Sequence, residues 1–197
     1  MADFRAIEAV GQSLLRLLRM SYSPEDFDND LQFQLYGPDN FSKPMSAGVS
    51  IFLYRILQNG THRTPGGRRN GQGRKYYSSL PVDLYFLMTV WAKDVSLQYR
   101  IAGWLMRTLE DTPVLPHGLL ESAAPGIFKQ GETVEIVLWE ITNEDLFHLW
   151  ESLAEDEYQL SIPYMARNVF IESRQKVTEG APVQERVYDA GEREPGG

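Results

Sequence analysis

The chain has 197 residues, 43% hydrophobic and 12% aromatic, enough to bury one core and to exclude wholesale disorder. It has no cysteine, which removes disulfides, thiolate metal sites and cysteine nucleophiles together and fits a reducing compartment. The net charge is −8, yet residues 60–80 hold five basic side chains and no acid, leaving 14 basic against 27 acidic residues, or −13, elsewhere. An acidic body with one basic protrusion does not suit general nucleic-acid binding.

The N-terminus shows no basic stretch leading into an apolar one, and nothing approaches 18 consecutive apolar residues, so neither a signal peptide nor a membrane span is expected. The sequons Asn40-Phe41-Ser42 and Asn59-Gly60-Thr61 are then chance. Phe4, Ile7, Val10, Leu14, Leu17 and Leu18 recur at three- and four-residue spacing and predict a first helix, with Asp3 as its N-cap. Pro24 and an acidic run break it. Leu31, Phe33 and Leu35 alternate with polar residues as a short strand that ends at Gly37-Pro38.

A longer strand, Val49–Leu57, is apolar on nearly both faces, which predicts a central place in a sheet covered on both sides. Residues 60–79 form a polar loop rich in Gly, Arg and Asn. Val82–Trp91 is a second buried strand, and the two make a hairpin-like pair with an exaggerated tip. Asp94 or Ser96 caps a second helix carrying Leu97, Ile101, Trp104, Leu105 and Leu109, ended by Pro113 and Pro116.

A Pro/Gly-containing connection leads to the alternating strand Thr133–Trp139. Thr142-Asn143-Glu144-Asp145 is a capping-box-like start for a third helix with Leu146, Leu149, Trp150 and Leu153. The last strand spans Tyr158–Ile171, where Pro163 predicts an edge position or a bulge. From about Lys176 the chain reads as a flexible tail. Strands outnumber crossovers, so the expected fold is one α+β domain, a mixed sheet packed with about three helices. The expected boundaries are residues 1–175 for the domain and 176–197 for the tail.

Little catalytic chemistry is legible. His62, His117 and His148 are isolated, and none has the i, i+4 spacing that grips a metal from a helix face. Asp26-Phe27-Asp28-Asn29-Asp30 opens like a calcium loop, but Leu31 replaces the turn glycine and Gly37 the bidentate glutamate. Gly66–Gly73 lacks the Lys-Ser/Thr pair and the following helix of a phosphate loop. No Gly-x-Ser-x-Gly elbow exists. Neither a catalytic residue nor a cofactor or metal site is assigned.

Asp83 is a lone carboxylate on an apolar strand. It serves either acid–base chemistry or a structural role, paired or pointing toward a subunit boundary, and the structural role is favoured because buried charges persist when paired. For the basic loop, a solvated tip stands beside docking of Arg63, Arg68, Arg69, Arg74 and Lys75 on an acidic protein surface. Nucleic-acid binding ranks third, for want of interleaved aromatics before Tyr76-Tyr77. In the tail, Val183–Tyr188 is a β-competent patch, either inert or able to add a strand to a partner's sheet edge.

Four segments taken in order are similar to a known family. They are Val49–Asn59, Leu80–Trp91, Glu144-Asp145-Leu146-Phe147-His148-Leu149-Trp150 and Tyr158-Gln159-Leu160-Ser161-Ile162-Pro163-Tyr164. Together they resemble the DUF4255 or Pvc16 N-terminal domain family, over residues 5–172. The resemblance implies a non-enzymatic cap, or tail terminator, of phage-tail-like contractile injection systems. It implies a homo-hexameric ring that ends inner-tube and sheath growth, assembled in the cytoplasm as part of the particle. The implied partners are the sheath and inner tube proteins, with no small-molecule substrate, membrane or nucleic acid. The longer, more basic loop and the tail depart from the family pattern. A compact domain of this length has a width of about 40 Å, and six such spheres in a ring leave a bore of about 40 Å. The alternatives are a small ligand-binding domain or enzyme using Asp83, and a nucleic-acid adaptor using the basic loop.

Overall fold

A strand that is apolar on both faces has to be covered on both sides, and residues 80–91 make such a strand. The computed structural model describes residues 2–28, 30–61, 77–153 and 158–175 in full, and 68–69 and 75–76 by their backbone. One mixed sheet holds β1 (Gln32–Tyr36), β2 (Gly48–Gln58), β5 (Leu80–Trp91), β6 (Val114–Leu115), β7 (Val134–Leu138) and β8 (Ser161–Ile171). Their order is β1-β2-β5-β8-β7-β6. β1 runs parallel to β2, and every other neighbouring pair is antiparallel. Two short strands in the β2–β5 connection, β3 (Arg68–Arg69) and β4 (Lys75–Tyr76), form a separate antiparallel ladder.

Alternation along β5 divides the core in two. Val82, Leu84, Phe86, Met88 and Val90 face a large cluster with α1 (Ala6–Ser21), α2 (Val95–Asp111) and α3 (His117–Ala123). Leu87 and Trp91 face the other way, onto Tyr36, Phe41 and Met45 from the β1–β2 crossover and onto Leu146 and Trp150 of α4 (Asn143–Leu153). The predicted α+β fold and the hairpin-like pairing of the two long strands are as observed. The helices number four among the described residues, against about three expected. The additional one, α3, has only seven residues and one fully buried anchor, Leu120. Its first turn follows Pro116 and contains Gly118, so the sequence pattern there reads as a connection.

Helix starts follow local chemistry. The Asp94 carboxylate accepts the Leu97 N–H at 2.7 Å and caps α2. Thr142 Oγ1 accepts the Asp145 N–H at 3.1 Å and donates to the Asp145 carboxylate at 2.8 Å, which starts α4. Asp3, expected as the N-cap of α1, is not: the cap position is Arg5, with no side-chain cap. Phe4, placed in the apolar stripe by spacing, is 68% exposed, with the Arg174 guanidinium 5.4 Å from its ring. Helix spacing thus held only from Ile7 onward, because the chain before Ala6 is not yet helical.

Asp3 ties the N-terminal segment to the end of β8. Its carboxylate accepts the Arg5 N–H and Nε–H at 3.0 Å each, and also bonds Arg174. Glu172 N–H donates to Ala2 O at 2.8 Å, and the Glu172 carboxylate meets Lys129 Nζ at 2.8 Å. The hydrogen bonds from Arg5 hold the Asp3 carboxyl well below the usual carboxylate range.

Pro163 sits in an interior strand, between β5 and β7, and not at an edge. Its carbonyl accepts the Trp139 N–H at 3.0 Å, so the absent proline N–H faces the same side, just past the last ladder pair Leu138–Tyr164. The sheet loses one bond there and no more. On the outer edge of β1 the Phe33 carbonyl, which points away from β2, accepts from Arg19 Nη2 at 2.8 Å.

Gly48 opens β2 with φ +144°, and a Cβ there would lie 1.9 Å from the Gln32 carbonyl oxygen. Gly48→Ala is expected to lower unfolding stability by about 3 kcal/mol or more, read as a shift in urea midpoint at unchanged m. Asp3→Asn is expected to flatten the acid limb of the stability profile. A depressed folded-state pKa stabilises above the ordinary value of 3.8 and is lost as pH falls below it. Denaturant midpoints between pH 2 and pH 7 check this: the wild-type advantage over the variant is present near neutrality and shrinks towards pH 2.

Candidate interface at the loop end of the sheet

β2 and β5 have 11 and 12 residues, but β1 has only five and ends opposite Phe52. The last turnless stretch of β2 therefore projects beyond its neighbour. Ile56 and Leu57 on β2, Leu80 on β5 and Phe170 on β8 are all at least 38% exposed there. The sequence places Ile56, Leu57 and Leu80 in or beside buried strands. The signal that separates them is the length mismatch with β1, a tertiary fact rather than a local one.

The chain leaves this end through a polar clasp built on Asp83. β5 and β8 slip register between Val82 and Leu84, a bulge at which Asn168 takes φ +56°. Asp83 Oδ1 accepts the Asn168 N–H at 2.9 Å, and Asp83 Oδ2 accepts Asn59 Nδ2–H at 3.0 Å. Asn59 Nδ2 also reaches Asn168 Oδ1 at 3.0 Å, while Asn59 Oδ1 accepts the Thr61 N–H at 3.1 Å. Three strands are thus locked together where the loop begins. Asp83 is engaged structurally, as favoured from sequence, and its oxygens point at two asparagines.

On the second face, a further register shift between Leu53 and Arg55 puts Tyr54 and Arg55 beside Tyr85. The Arg55 guanidinium lies 5.8 Å from the Tyr85 ring, and Tyr85 packs against Trp139 at 5.0 Å. Burial pushes the Tyr54 hydroxyl up to about 12. Across the ladder Glu135 and Arg167 approach at 3.5 Å, both nearly half exposed. Such an exposed pair adds little stability.

Of the five loop cations named from sequence, Arg63 and Arg74 lie outside the described residues. Arg68, Arg69 and Lys75 are placed by backbone, Arg69 opposite Lys75 in the β3–β4 ladder. That ladder brings basic positions together on adjoining strands. The tail patch Val183–Tyr188 and His62 also lie outside the described residues. His148 is exposed between Glu144 and Glu151 on α4, and His117 is separate from it on α3.

Two clefts are lined by side chains of fixed structural use. One, of about 360 Å³, runs along the β1 edge past Arg19, Tyr22 and Phe33. The other, of about 140 Å³, lies between α1 and the strand ends at Ile7, Gly11, Leu35, Leu53 and Phe86. Among the described residues no three His, Asp or Glu side chains gather as a metal site, and no helix is long and apolar enough to cross a membrane.

The site residues thus sit on a mixed sheet with a basic loop joined at one end, where the Asp83 carboxylate is held by Asn59 and Asn168. The chain belongs to the Pvc16 N-terminal domain family, which it matches over residues 9–185. It is similar in fold to a solved sheath/tube terminator of an extracellular contractile injection system, PVC, in the extended state. That likeness has a TM-score of 0.61 and 18% identity over 92% of this chain and 64% of the other. It is also similar to the tube-terminating cap of the anti-feeding prophage, with a TM-score of 0.60 and 21% identity over 91% of this chain and 59% of the other. The chain therefore spans less than two thirds of either neighbour's length. No protein of curated function matches it.

Removing the clasp should cost stability without touching the exposed rim. Asp83→Ala is expected to lower unfolding stability by about 1–3 kcal/mol, since it strands the Asn168 N–H and the Asn59 amide. Combined with Asn59→Ala, the two losses should fall short of additivity by about 0.5 kcal/mol or more in a double-mutant cycle.

Proposed function

We propose that this chain is the cap of a contractile injection system, a structural protein that ends the growth of the inner tube and the surrounding sheath. The observation that carries the reading is likeness over more than nine tenths of the chain to two tube-terminating proteins, in a member of the Pvc16 N-terminal domain family. The cap works by occupying a growing end. Its lower face complements the last layer of tube or sheath, and its upper face lacks the sites that would accept another.

Six copies form the ring, and its partners are the inner tube and sheath proteins. Assembly takes place in the cytoplasm, and the ring remains part of the particle. Residues 1–175 are the ring-forming domain, and 176–197 extend from it to a neighbouring protein. Arg63, Arg68, Arg69, Arg74 and Lys75 dock on an acidic protein surface, their guanidinium groups pairing with carboxylates. No chemical step is assigned. Asp83, the one residue proposed for a ligand-binding or enzymatic role, has its oxygens bonded to Asn59 and Asn168.

The test is deletion of the chain in the producing cells, with tube length and sheath retention measured by electron microscopy. Overlong or sheathless tubes, restored by re-expression, are expected; normal particles would overturn the reading. Replacing the five loop cations with serine is expected to weaken attachment to particles and flatten its salt dependence, measured by co-sedimentation between 50 and 500 mM salt. Truncation after residue 175 should lower sheath retention.

A further inference from the structure

α2 and α4 cover opposite faces of one sheet, so their outer sides point away from each other. α2 buries Leu97, Ile101, Leu105 and Leu109 in the cluster that holds Leu84, Phe86, Met88 and Val90 of β5. α4 buries Leu146 and Trp150 in the cluster that holds Leu87 and Trp91. The sheet and two layers of side chains stand between the outer sides, which cannot meet within one chain.

The outer side of α2 is apolar on one shoulder and basic on the other. Val95, Tyr99 and Met106 follow one another at helical spacing and are 58%, 65% and 38% exposed. Arg100 and Arg107 form the second shoulder, and Gly103 lies between the two. The partners of these arginines, Asp28 at 3.9 Å and Asp111 at 2.8 Å, are themselves exposed, so the pairs are weak and easily exchanged. A Cβ at Gly103 would meet nothing within 4 Å. Glycine inside a helix costs stability relative to alanine, and packing within the subunit does not require it here. Bare backbone at that point admits a bulky side chain from outside at close range.

The outer side of α4 has the complementary composition. Phe147 packs edge to face on Tyr158 at 5.5 Å, and both stay about half exposed. Glu144 and Glu151 stand one turn to either side of Phe147, with carboxylates 85% and 69% exposed. His148 lies between those carboxylates, at 3.0 Å from Glu151 and 3.8 Å from Glu144. An aromatic ring flanked by two carboxylates matches a bare helix position flanked by two guanidinium groups and an apolar row.

We infer that the outer side of α2 in one copy docks on the outer side of α4 in a second copy of this chain. Phe147 enters at Gly103 beside Tyr99 and Met106, and Arg100 and Arg107 pair with Glu144 and Glu151. The ring residues supply the desolvated centre of the contact, and the charges around it set orientation. Each copy uses its α2 side once and its α4 side once. Such a head-to-tail contact closes into a ring when its rotation allows. The inference rests on the cap reading and names the surfaces that join its copies.

The chain contains no cysteine, so a pair of introduced ones reports the contact cleanly. Ser96 on α2 and His148 on α4 are both exposed and lie outside the proposed charge pairs. Full-length protein bearing Ser96→Cys and His148→Cys is assembled on particles in the producing cells, purified and treated with a short bis-maleimide. The expected result is a ladder of linked multimers of this chain that needs both substitutions. Particles that keep the chain yet yield no ladder, a dimer from either substitution alone, or a link to another protein would overturn the inference and leave the cap reading standing. Normal particles after deletion of the chain would overturn both. Gly103→Leu gives a second readout, in which folding and contact part company. It is expected to leave the urea midpoint at or above the wild-type value, since leucine favours the helix. In the two-cysteine chain it is expected to lower the yield of linked multimers per retained copy roughly tenfold or more. An unchanged yield would also overturn the inference.

Discussion

Everything in this fold answers to one constraint: β5 is buried on both of its faces from Leu84 to Trp91. A strand with no solvent side needs a hydrogen-bonded neighbour at each edge and an apolar layer above and below. β2 and β8 supply the edges. α1 lies against one face with its inner side fully buried, Ala9, Val10, Leu14 and Leu18 all at 1% exposure or less. The opposite face is closed by a smaller aromatic cluster in which Trp91 touches both Tyr36 and Trp150. The unequal covers leave one side of the molecule helical and the other partly open.

The same constraint explains why polar groups appear where they do. At the end of β5 where the covering layers run out, the ladder bulges and the free backbone groups are met by Asp83, Asn59 and Asn168. Where β8 must accept a proline, the lost donor faces Trp139, just past the last ladder pair of β7.

Most of the long elements were legible in the sequence because their signals are local. Periodicity marks α1 and α2, alternation marks β7, and Asp94 and Thr142 mark helix starts by hydrogen bonds within one turn. What was not legible depends on distant residues. Phe27 stands in an acidic run and reads as loop, yet it is 3% exposed and packs with Tyr22 and Trp104. Pro163 reads as an edge marker because nothing nearby tells where β7 stops. The exposed end of β2 looks like core, since only the shortness of β1 uncovers it. Of the candidate site, Asp83 was identified with its structural role, but its asparagine partners at positions 59 and 168 were not, because a bulge brings them together.

The Arg19 guanidinium on the β1 edge bears on strand addition. At the other margin β6 offers just two residues. A guanidinium on one rim and a two-residue stub at the other each disfavour the addition of a further strand. Edge-to-edge accretion, the usual hazard of a long flat sheet, is thereby made less favourable at both margins.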